Sequence, residues 1–249
     1  MVPAVLITGG AKRIGAALSR AFGEAGWHVV IHYGRSREDA EHLAAALPSA
    51  ECIQCDLADS DAGVAMVQAL ASELDDWRVL VNCAAVFRED AVDALDPAIF
   101  AEAMTVNVAT PVRMAQAFLK AARANGGKRV IQFTDMKLRN PNPDFFSYSM
   151  SKFAFDSAIW MMAMAASDPV DRIYGIAPGA MLPSFDQEPE EHQVSGRMNL
   201  LGRITPSREL ADAALFLSEG WLASGETLYI DSGQHLLSQP RDVLYLARE

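Results

Sequence analysis

Short apolar runs alternate with helix-period segments along the whole chain, and this alternation limits the possible fold more than any other feature. The runs are AVLIT, HVVIHY, ECIQC, RVLVN, RVIQFT, DRIYGIA and TLYI, and helical periodicity lies near residues 13–25, 37–47, 60–74, 96–124, 145–167 and 207–218. Strands that alternate with helices form βαβ units with right-handed crossovers. Continuously apolar strands need cover on both faces. The pattern therefore predicts an α/β fold with a doubly wound parallel sheet of about seven strands.

The length and composition fit one domain. A chain of 249 residues with 51% hydrophobic content can bury a full core, and no linker interrupts it, so we expect a single domain over residues 1–249. The acidic, proline-punctuated stretch 180–200 predicts one long irregular segment, either a substrate loop or a disordered surface loop. Residues 238–249 follow the last predicted strand as a C-terminal tail, for which an arm across a subunit interface is one interpretation.

Charge and hydropathy exclude several classes of protein. The net charge of −11 argues against nucleic acid as a partner, and no stretch is apolar and long enough to span a membrane. The opening residues MVPAVLITGG predict a first strand instead of a signal peptide. The five histidines show no ligand spacing, so we predict no metal. A soluble cytoplasmic protein is the default expectation.

The cysteines predict neither a zinc site nor a redox site. Cys52 and Cys55 form a lone CxxC with no second pair and no neighbouring histidine. They lie in a strand-like run, so we expect two small, buried or half-buried side chains.

A glycine-rich turn follows the first predicted strand in the sequence TGGAKRIG. Gly9 and Gly10 allow a tight turn from strand to helix, and Gly15 allows the helix to pack closely on the sheet. The free N–H groups at the helix start can bind a phosphate. Arg13 stands where such turns often have a middle glycine.

The end of the second predicted strand indicates which dinucleotide binds. An NAD site has an Asp or Glu there, which bonds the ribose hydroxyls. This chain instead has Tyr33, Gly34, Arg35 and Ser36. A guanidinium and a hydroxyl can bind a 2′-phosphate, so we predict NADPH. The alternative is that Arg35 and Arg37 are solvated loop charges.

Tyr148 and Lys152 are four residues apart in FSYSMSKFAF, and Asp135 ends the apolar run before them. Positions i and i+4 share a helix face, and a nearby cation favours a phenolate. We therefore expect Lys152 to lower the pKa of Tyr148. The spacing alone is weak, since such pairs occur by chance on solvated helices. Asn107, in the middle of a predicted helix, is either a functional bend or a buried, satisfied amide.

Together these elements resemble the short-chain dehydrogenase/reductase family over essentially the whole chain. They include Asp56 after the third strand, the Asn-x-Ala stretch at 82–84, and Pro178-Gly179 after the sixth. The resemblance implies a Rossmann-type sheet, hydride transfer with NADP(H) and a homo-oligomer, either a tetramer or a dimer. It implies Tyr148 as general acid, Lys152 as its partner on the nicotinamide ribose, and Asn107 as support for a proton-relay water. The implied cofactor contacts are Gly9, Lys12, Arg13, Ile14, Gly15, Tyr33, Arg35, Ser36, Asp56, Leu57, Asn82, Ala84, Tyr148, Lys152, Pro178 and Gly179.

Asp135 departs from the family pattern, which usually has a serine there to stabilise an oxyanion. A carboxylate opposes an oxyanion and favours positive charge, as on a protonated C=N bond. Within the family the chain resembles the pteridine reductases, including bacterial dihydromonapterin and dihydrofolate reductases, through Arg13, the strand end from His32 to Ser36, and Phe87. The implied substrate contacts are Arg13, Phe87, Asp135 and Tyr148. Ala85 departs from a serine that often bonds the pterin in that group.

These observations support an NADPH-dependent reductase of a pterin or folate-type C=N bond. Tyr148 would donate the proton with help from Lys152 and Asp135. Two alternatives stay open. One is an NADPH-dependent carbonyl reductase acting on a 3-oxoacyl or sugar-like ketone. The other is a non-catalytic NADPH-binding sensor, against which the intact Tyr148/Lys152 pair argues.

Overall fold

The chain forms a seven-stranded, fully parallel sheet in the order β3-β2-β1-β4-β5-β6-β7. The computed structural model describes residues 1–184 and 187–249. The strands are β1 Ala4–Ile7, β2 His28–Tyr33, β3 Ala50–Gln54, β4 Trp77–Asn82, β5 Arg129–Phe133, β6 Arg172–Pro178 and β7 Thr227–Ile230. The predicted α/β class and sheet are confirmed.

Helices cover both faces of the sheet. They are α1 Arg13–Glu24, α2 Arg37–Ala45, α3 Ser60–Glu73, α4 Pro97–Met104, α5 Thr110–Ala121, α6 Phe146–Ala165, α7 Pro189–Ser195, α8 Ser207–Ser218 and α9 Val243–Leu246. Short 3₁₀ turns span Met136–Leu138 and Gln234–Leu236. Within the described residues, no helix is both long and apolar enough to cross a membrane.

Strand β1 shows why the runs are apolar throughout. Its side chains alternate in direction, so Val5 and Ile7 pack with α1, α2 and α8 on one face of the sheet. Ala4 and Leu6 pack with α3, α5 and α6 on the other. All four residues are buried. Cys52 in β3 is half-buried and Cys55 directly after β3 is buried, as predicted.

The predicted helix over 96–124 is not continuous. A π-helical turn, Thr105–Ala109, separates α4 from α5. Asn107 lies inside this turn, and its side chain bonds to neighbouring segments. A local widening of the helix of this kind commonly marks a functional position.

The stretch 180–200 is not irregular throughout, which corrects the sequence prediction. It contains α7, which begins with Pro189 and a reciprocal capping box between Glu188 and Glu191. Phe185 and Asp186 of this stretch lie outside the described residues. The C-terminal tail contains α9 and bonds to Asp144 of its own chain; an arm across a subunit interface stays a prediction.

Candidate active site

A cavity of about 430 Å³ opens at the carboxyl ends of the strands. Ligands of open α/β sheets bind there, where the strand order reverses; here β1 lies between β2 and β4. Many of the residues predicted from the sequence line this cavity together. They are Arg13, Ile14, Phe87, Asp135, Tyr148, Pro178 and Gly179.

Asp135 and Tyr148 are hydrogen-bonded in the cavity wall. The Tyr148 hydroxyl donates to Asp135 Oδ2 at 2.7 Å. Asp135 Oδ1 accepts the Lys137 backbone N–H at 2.9 Å, because Asp135 caps the short 3₁₀ turn after β5. Burial raises the pKa of Asp135, and this outweighs the lowering by Lys137 and by the Tyr148 hydrogen bond. The pair can therefore hold a proton between its two oxygens.

The pKa of Tyr148 is not lowered overall in this arrangement, although the sequence predicts that Lys152 lowers it. Burial, followed by the charge and hydrogen bond of Asp135, raises the pKa of Tyr148 well above its ordinary value. The Lys152 ammonium lies 5.6 Å from the Tyr148 ring centroid and donates to the Phe133 carbonyl at 2.6 Å. Burial lowers the pKa of Lys152 to about 8.

Asn107 is buried and its amide is satisfied by the protein. Its Oδ1 accepts the Val86 N–H at 2.8 Å, and its Nδ2 donates to the Val86 carbonyl and to Ser151 Oγ, each at 3.0 Å. Asn107 thus ties the segment after β4 to α6, the helix that carries Tyr148. The side-chain geometry agrees with the alternative of a buried, satisfied amide. A role in a proton relay stays a prediction.

The glycine turn has the shape of a phosphate cradle. Gly9 has a φ of 64°, and a β-carbon on Gly15 would lie 2.1 Å from the Gly9 carbonyl oxygen, so no side chain fits. Arg13 adopts a φ of 53°, which explains why glycine is common at this position. The first turn of α1 has no acidic residue and no side-chain cap. Its N–H groups are therefore available to an anion.

His32 supports the glycine turn, a role that the sequence did not indicate. Its Nδ1 accepts the Gly9 N–H at 3.1 Å, and its Nε2 lies 3.0 Å from the Cys55 carbonyl. Burial lowers the pKa of His32 to about 4, so the ring is neutral at physiological pH. The only available signal was a polar residue within the apolar run HVVIHY.

At the tip of β2, Arg35 is exposed and Ser36 is half-buried. The neighbouring Arg37 donates to the Tyr33 hydroxyl at 3.3 Å, and Lys12 pairs with Asp39 at 2.9 Å. The tip therefore presents the Arg35 guanidinium towards solvent, as a 2′-phosphate contact requires.

Of the cofactor contacts predicted after β3 and β4, some lie at the surface or at the glycine turn, and one bonds within the core. Asp56 is exposed after β3, and Leu57 beside it is buried. Ala84 lies against the glycine turn, since a β-carbon on Gly9 would be 3.2 Å from the Ala84 Cα. The Asn82 side chain instead donates to Gln132 Oε1 at 2.8 Å within the core. Asn82 is thus placed to orient this segment more than to contact a ligand.

Phe87 lies in the cavity wall, but it already has aromatic partners. Its ring stacks on Phe145 with centroids 4.1 Å apart and meets Tyr148 edge-on at 4.7 Å. Arg13 also lines the cavity and donates to the Pro183 carbonyl at 2.8 Å. The structure adds Lys137, Asp242, Val243 and Leu244 to the wall, none of which the sequence predicted.

The sheet order, the glycine turn before α1 and the Tyr–Lys pair on α6 define a dinucleotide-dependent oxidoreductase. A family model described as enoyl-(acyl carrier protein) reductase matches residues 9–235. The chain belongs to the short-chain dehydrogenase/reductase family, which confirms the resemblance seen in the sequence.

The chain is also similar to reductases that carry two names, FolM alternative dihydrofolate reductase and dihydromonapterin reductase. The chain is 33% identical to a solved structure of FolM alternative dihydrofolate reductase 1 from Brucella canis complexed with NADP, with a TM-score of 0.89 and coverage of 97% of this chain and 96% of that one. The Brucella suis protein, also complexed with NADP, gives 33% identity, a TM-score of 0.89 and 96% coverage of both chains. Dihydromonapterin reductase from Escherichia coli O6:K15:H31 is 26% identical over 93% of this chain and 96% of that protein.

Proposed function

We propose that the protein is an NADPH-dependent reductase of a C=N bond in a pterin, dihydropterin or folate-type substrate. The hydrogen bond between Tyr148 and Asp135, 2.7 Å long in the cavity wall, carries this proposal. A carboxylate beside the proton donor opposes the oxyanion that forms during ketone reduction, and it stabilises a nitrogen that gains positive charge. The similarity to dihydromonapterin reductase and to FolM proteins supports the same substrate class.

The residues of the site supply the proton. NADPH would supply the hydride, which goes to carbon while a proton goes to nitrogen. Tyr148 is a phenol at neutral pH because its pKa is raised, so it is a donor in its resting form. Asp135 accepts its hydrogen bond and stabilises the cationic substrate. Lys152, with a pKa of about 8, is mostly protonated at pH 7 and can return a proton to the pair.

The glycine turn and the tip of β2 fit the cofactor. The start of α1 has N–H groups with no side-chain cap and no acidic neighbour in its first turn, and these groups would hold the pyrophosphate. Arg35, exposed at the tip of β2, would pair with the 2′-phosphate. Pro178 and Gly179 line the cavity where the nicotinamide would lie.

We also propose that the whole chain acts as one domain and that it assembles into a homo-oligomer. Helix α6 exposes Trp160, Met161 and Met164, which are 65%, 62% and 84% accessible. Large apolar side chains clustered on one exposed helix are typical of a protein interface.

The activity is tested by mixing the purified protein with NADPH and either dihydrobiopterin or dihydrofolate, and following the loss of NADPH absorbance. We expect turnover, and we expect Tyr148→Phe to abolish it although NADPH still binds. The proposal is wrong if the protein reduces a ketone rapidly but reduces no dihydropterin. Asp135→Ser separates the two reactions, because it should reduce pterin turnover but preserve or raise turnover by a carbonyl reductase.

A further inference from the structure

The C-terminal tail forms one wall of the candidate active site within the same protomer. Val243 and Leu244 are only 5% and 4% exposed, and together with Asp242 they line the cavity that contains Tyr148. Leu244 belongs to the apolar cluster formed with Phe145 and Tyr148. Tyr148 and the tail residues therefore line the same cavity.

Asp144 anchors the tail. Its carboxylate accepts Arg241 Nε at 3.0 and 2.8 Å and the Asp242 backbone N–H at 2.7 Å. Asp144 is 7% exposed. Burial by itself raises the pKa of Asp144, but the bonds from Arg241 and Asp242 lower it overall. A buried carboxylate is unfavourable unless its charge is paired. The bonds from Arg241 and Asp242 therefore stabilise Asp144 and fix the tail to it.

Further contacts tie the tail to other parts of the cavity rim. Asp242 Oδ2 pairs with Lys137 Nζ at 2.7 Å, and Lys137 lies two residues after Asp135. Arg248 donates to Glu191 of α7 at 3.0 and 3.1 Å. The Tyr245 hydroxyl donates to Glu89, which follows β4. The tail thus bridges the segments after β4 and β5 and helix α7.

An aromatic stack connects the tail to Phe87. Phe145 lies between Phe87, at 4.1 Å, and Tyr245, at 6.0 Å between ring centroids. Phe145 has a φ of 52°, a left-handed conformation that is unfavourable for a bulky residue. Strain of this kind persists only where surrounding contacts hold it, and the two rings are such contacts.

We propose that residues 239–245 act as a size filter, which admits a bicyclic ring with a short substituent and disfavours a large conjugate such as folate. This inference rests on the proposed function. The cavity of about 430 Å³ is near the lower end for ligand sites, and under the proposed function it would also hold the nicotinamide beside Pro178 and Gly179. A long aminobenzoyl-glutamate group would then have to pass the tail, because Asp242, Val243 and Leu244 form part of the cavity wall.

The test compares the wild type with Arg241→Met and with a chain truncated after Pro240. Arg241 holds Asp144 but does not line the cavity. In the truncated chain, kcat/KM for dihydrofolate relative to dihydrobiopterin should rise about tenfold or more, mainly through a lower KM for dihydrofolate. In Arg241→Met it should rise several-fold. The Kd of NADPH should not change in Arg241→Met, since Arg241 does not line the cavity. Arg208→Met is the matched control, since it breaks an Arg–Asp pair of 2.8 Å on α8, away from the cavity.

Binding of biopterin and folate, measured by fluorescence quenching, gives a readout independent of turnover. A wild type that turns over neither substrate refutes the proposed function, while the ratio of the two Kd values still decides the size filter. An unchanged or reversed ratio in Arg241→Met, with NADPH binding intact, overturns the filter even if the truncated chain does not fold.

Discussion

Replacing Asp135 with asparagine removes one negative charge from the cavity wall and keeps an oxygen that can accept the Tyr148 hydrogen bond. The two side chains are 2.7 Å apart, so the change acts on the proton donor directly. The raised pKa of Tyr148 depends first on burial and then on the charge of Asp135. Without that charge, the substrate nitrogen also loses the anion that stabilises its positive charge.

The size of the effect follows from the lost interaction. Two unit charges about 4 Å apart interact by about 4 kcal/mol at an effective dielectric constant of about 20. Positioned proton transfer contributes about 100-fold to 10,000-fold to a rate, or roughly 3–5 kcal/mol. We therefore expect kcat for a dihydropterin to fall by about 100-fold or more. NADPH binding should change by less than about threefold, or ~0.7 kcal/mol.

The pH profile gives a second readout. Lys152 has a pKa of about 8, lowered by burial and partly restored by Asp135. The ammonium is present below that pKa and lost above it, so activity that needs this proton declines above about pH 8. Removing the Asp135 charge removes a cause that raises the pKa of Lys152. The alkaline decline should therefore move to lower pH in Asp135→Asn.

Both readouts come from steady-state kinetics with dihydrobiopterin at several pH values, together with an NADPH titration. Asp156→Asn is the matched control, because Asp156 is a partly buried carboxylate on the same helix as Tyr148 but bonds to Thr227, away from the cavity. A variant that keeps more than about a tenth of wild-type kcat, with an unshifted pH profile, would refute the role assigned to Asp135.

Two further predictions concern the cofactor site. Arg35→Ser should raise the Kd of NADPH by about 10-fold to 100-fold, since hydrogen bonds to charged groups contribute about 1.5–3 kcal/mol. The Kd of NADH should stay unchanged, because NADH has no 2′-phosphate. Arg20→Ser, on the exposed face of α1, is the control. If Arg35→Ser weakens the binding of NADPH and NADH equally, Arg35 does not contact the 2′-phosphate. His32→Leu leaves the Gly9 N–H and the Cys55 carbonyl without their partner, at about 1–3 kcal/mol per group, so both Tm and NADPH affinity should fall. His42→Leu, at an exposed position on α2, is the control in thermal unfolding. If His32→Leu keeps the Tm and the NADPH affinity of the wild type, the glycine turn does not depend on the His32 ring.

The sheet and its helices were predictable because they depend on local patterns. A strand such as AVLI is apolar on both faces only if both faces are covered, as Val5 and Leu6 show by packing in different cores. The glycine turn was predictable for the same reason, since Gly15 has no room for a β-carbon. The tail was not, because its position depends on Arg241 meeting Asp144, which is 97 residues away in the chain. No local pattern encodes such a contact.

The direction of the pKa shifts shows why the chemistry of the site could be predicted only in part. Residue types and spacing predicted that Tyr148, Lys152 and Asp135 lie near one another, but the pKa predicted for Tyr148 followed from nearby charge alone and not from burial. In the structure, burial is the largest cause for all three groups, and each shifts towards its neutral form. A phenol that keeps its proton beside a carboxyl of raised pKa, with a lysine that releases one near pH 8, suits a reaction that consumes one proton for each hydride. A site that needed a resting phenolate, as in the oxidation of an alcohol, would require the opposite shift of Tyr148. The resting phenol of Tyr148 is therefore the form that the proposed reduction uses, since it donates one proton for each hydride.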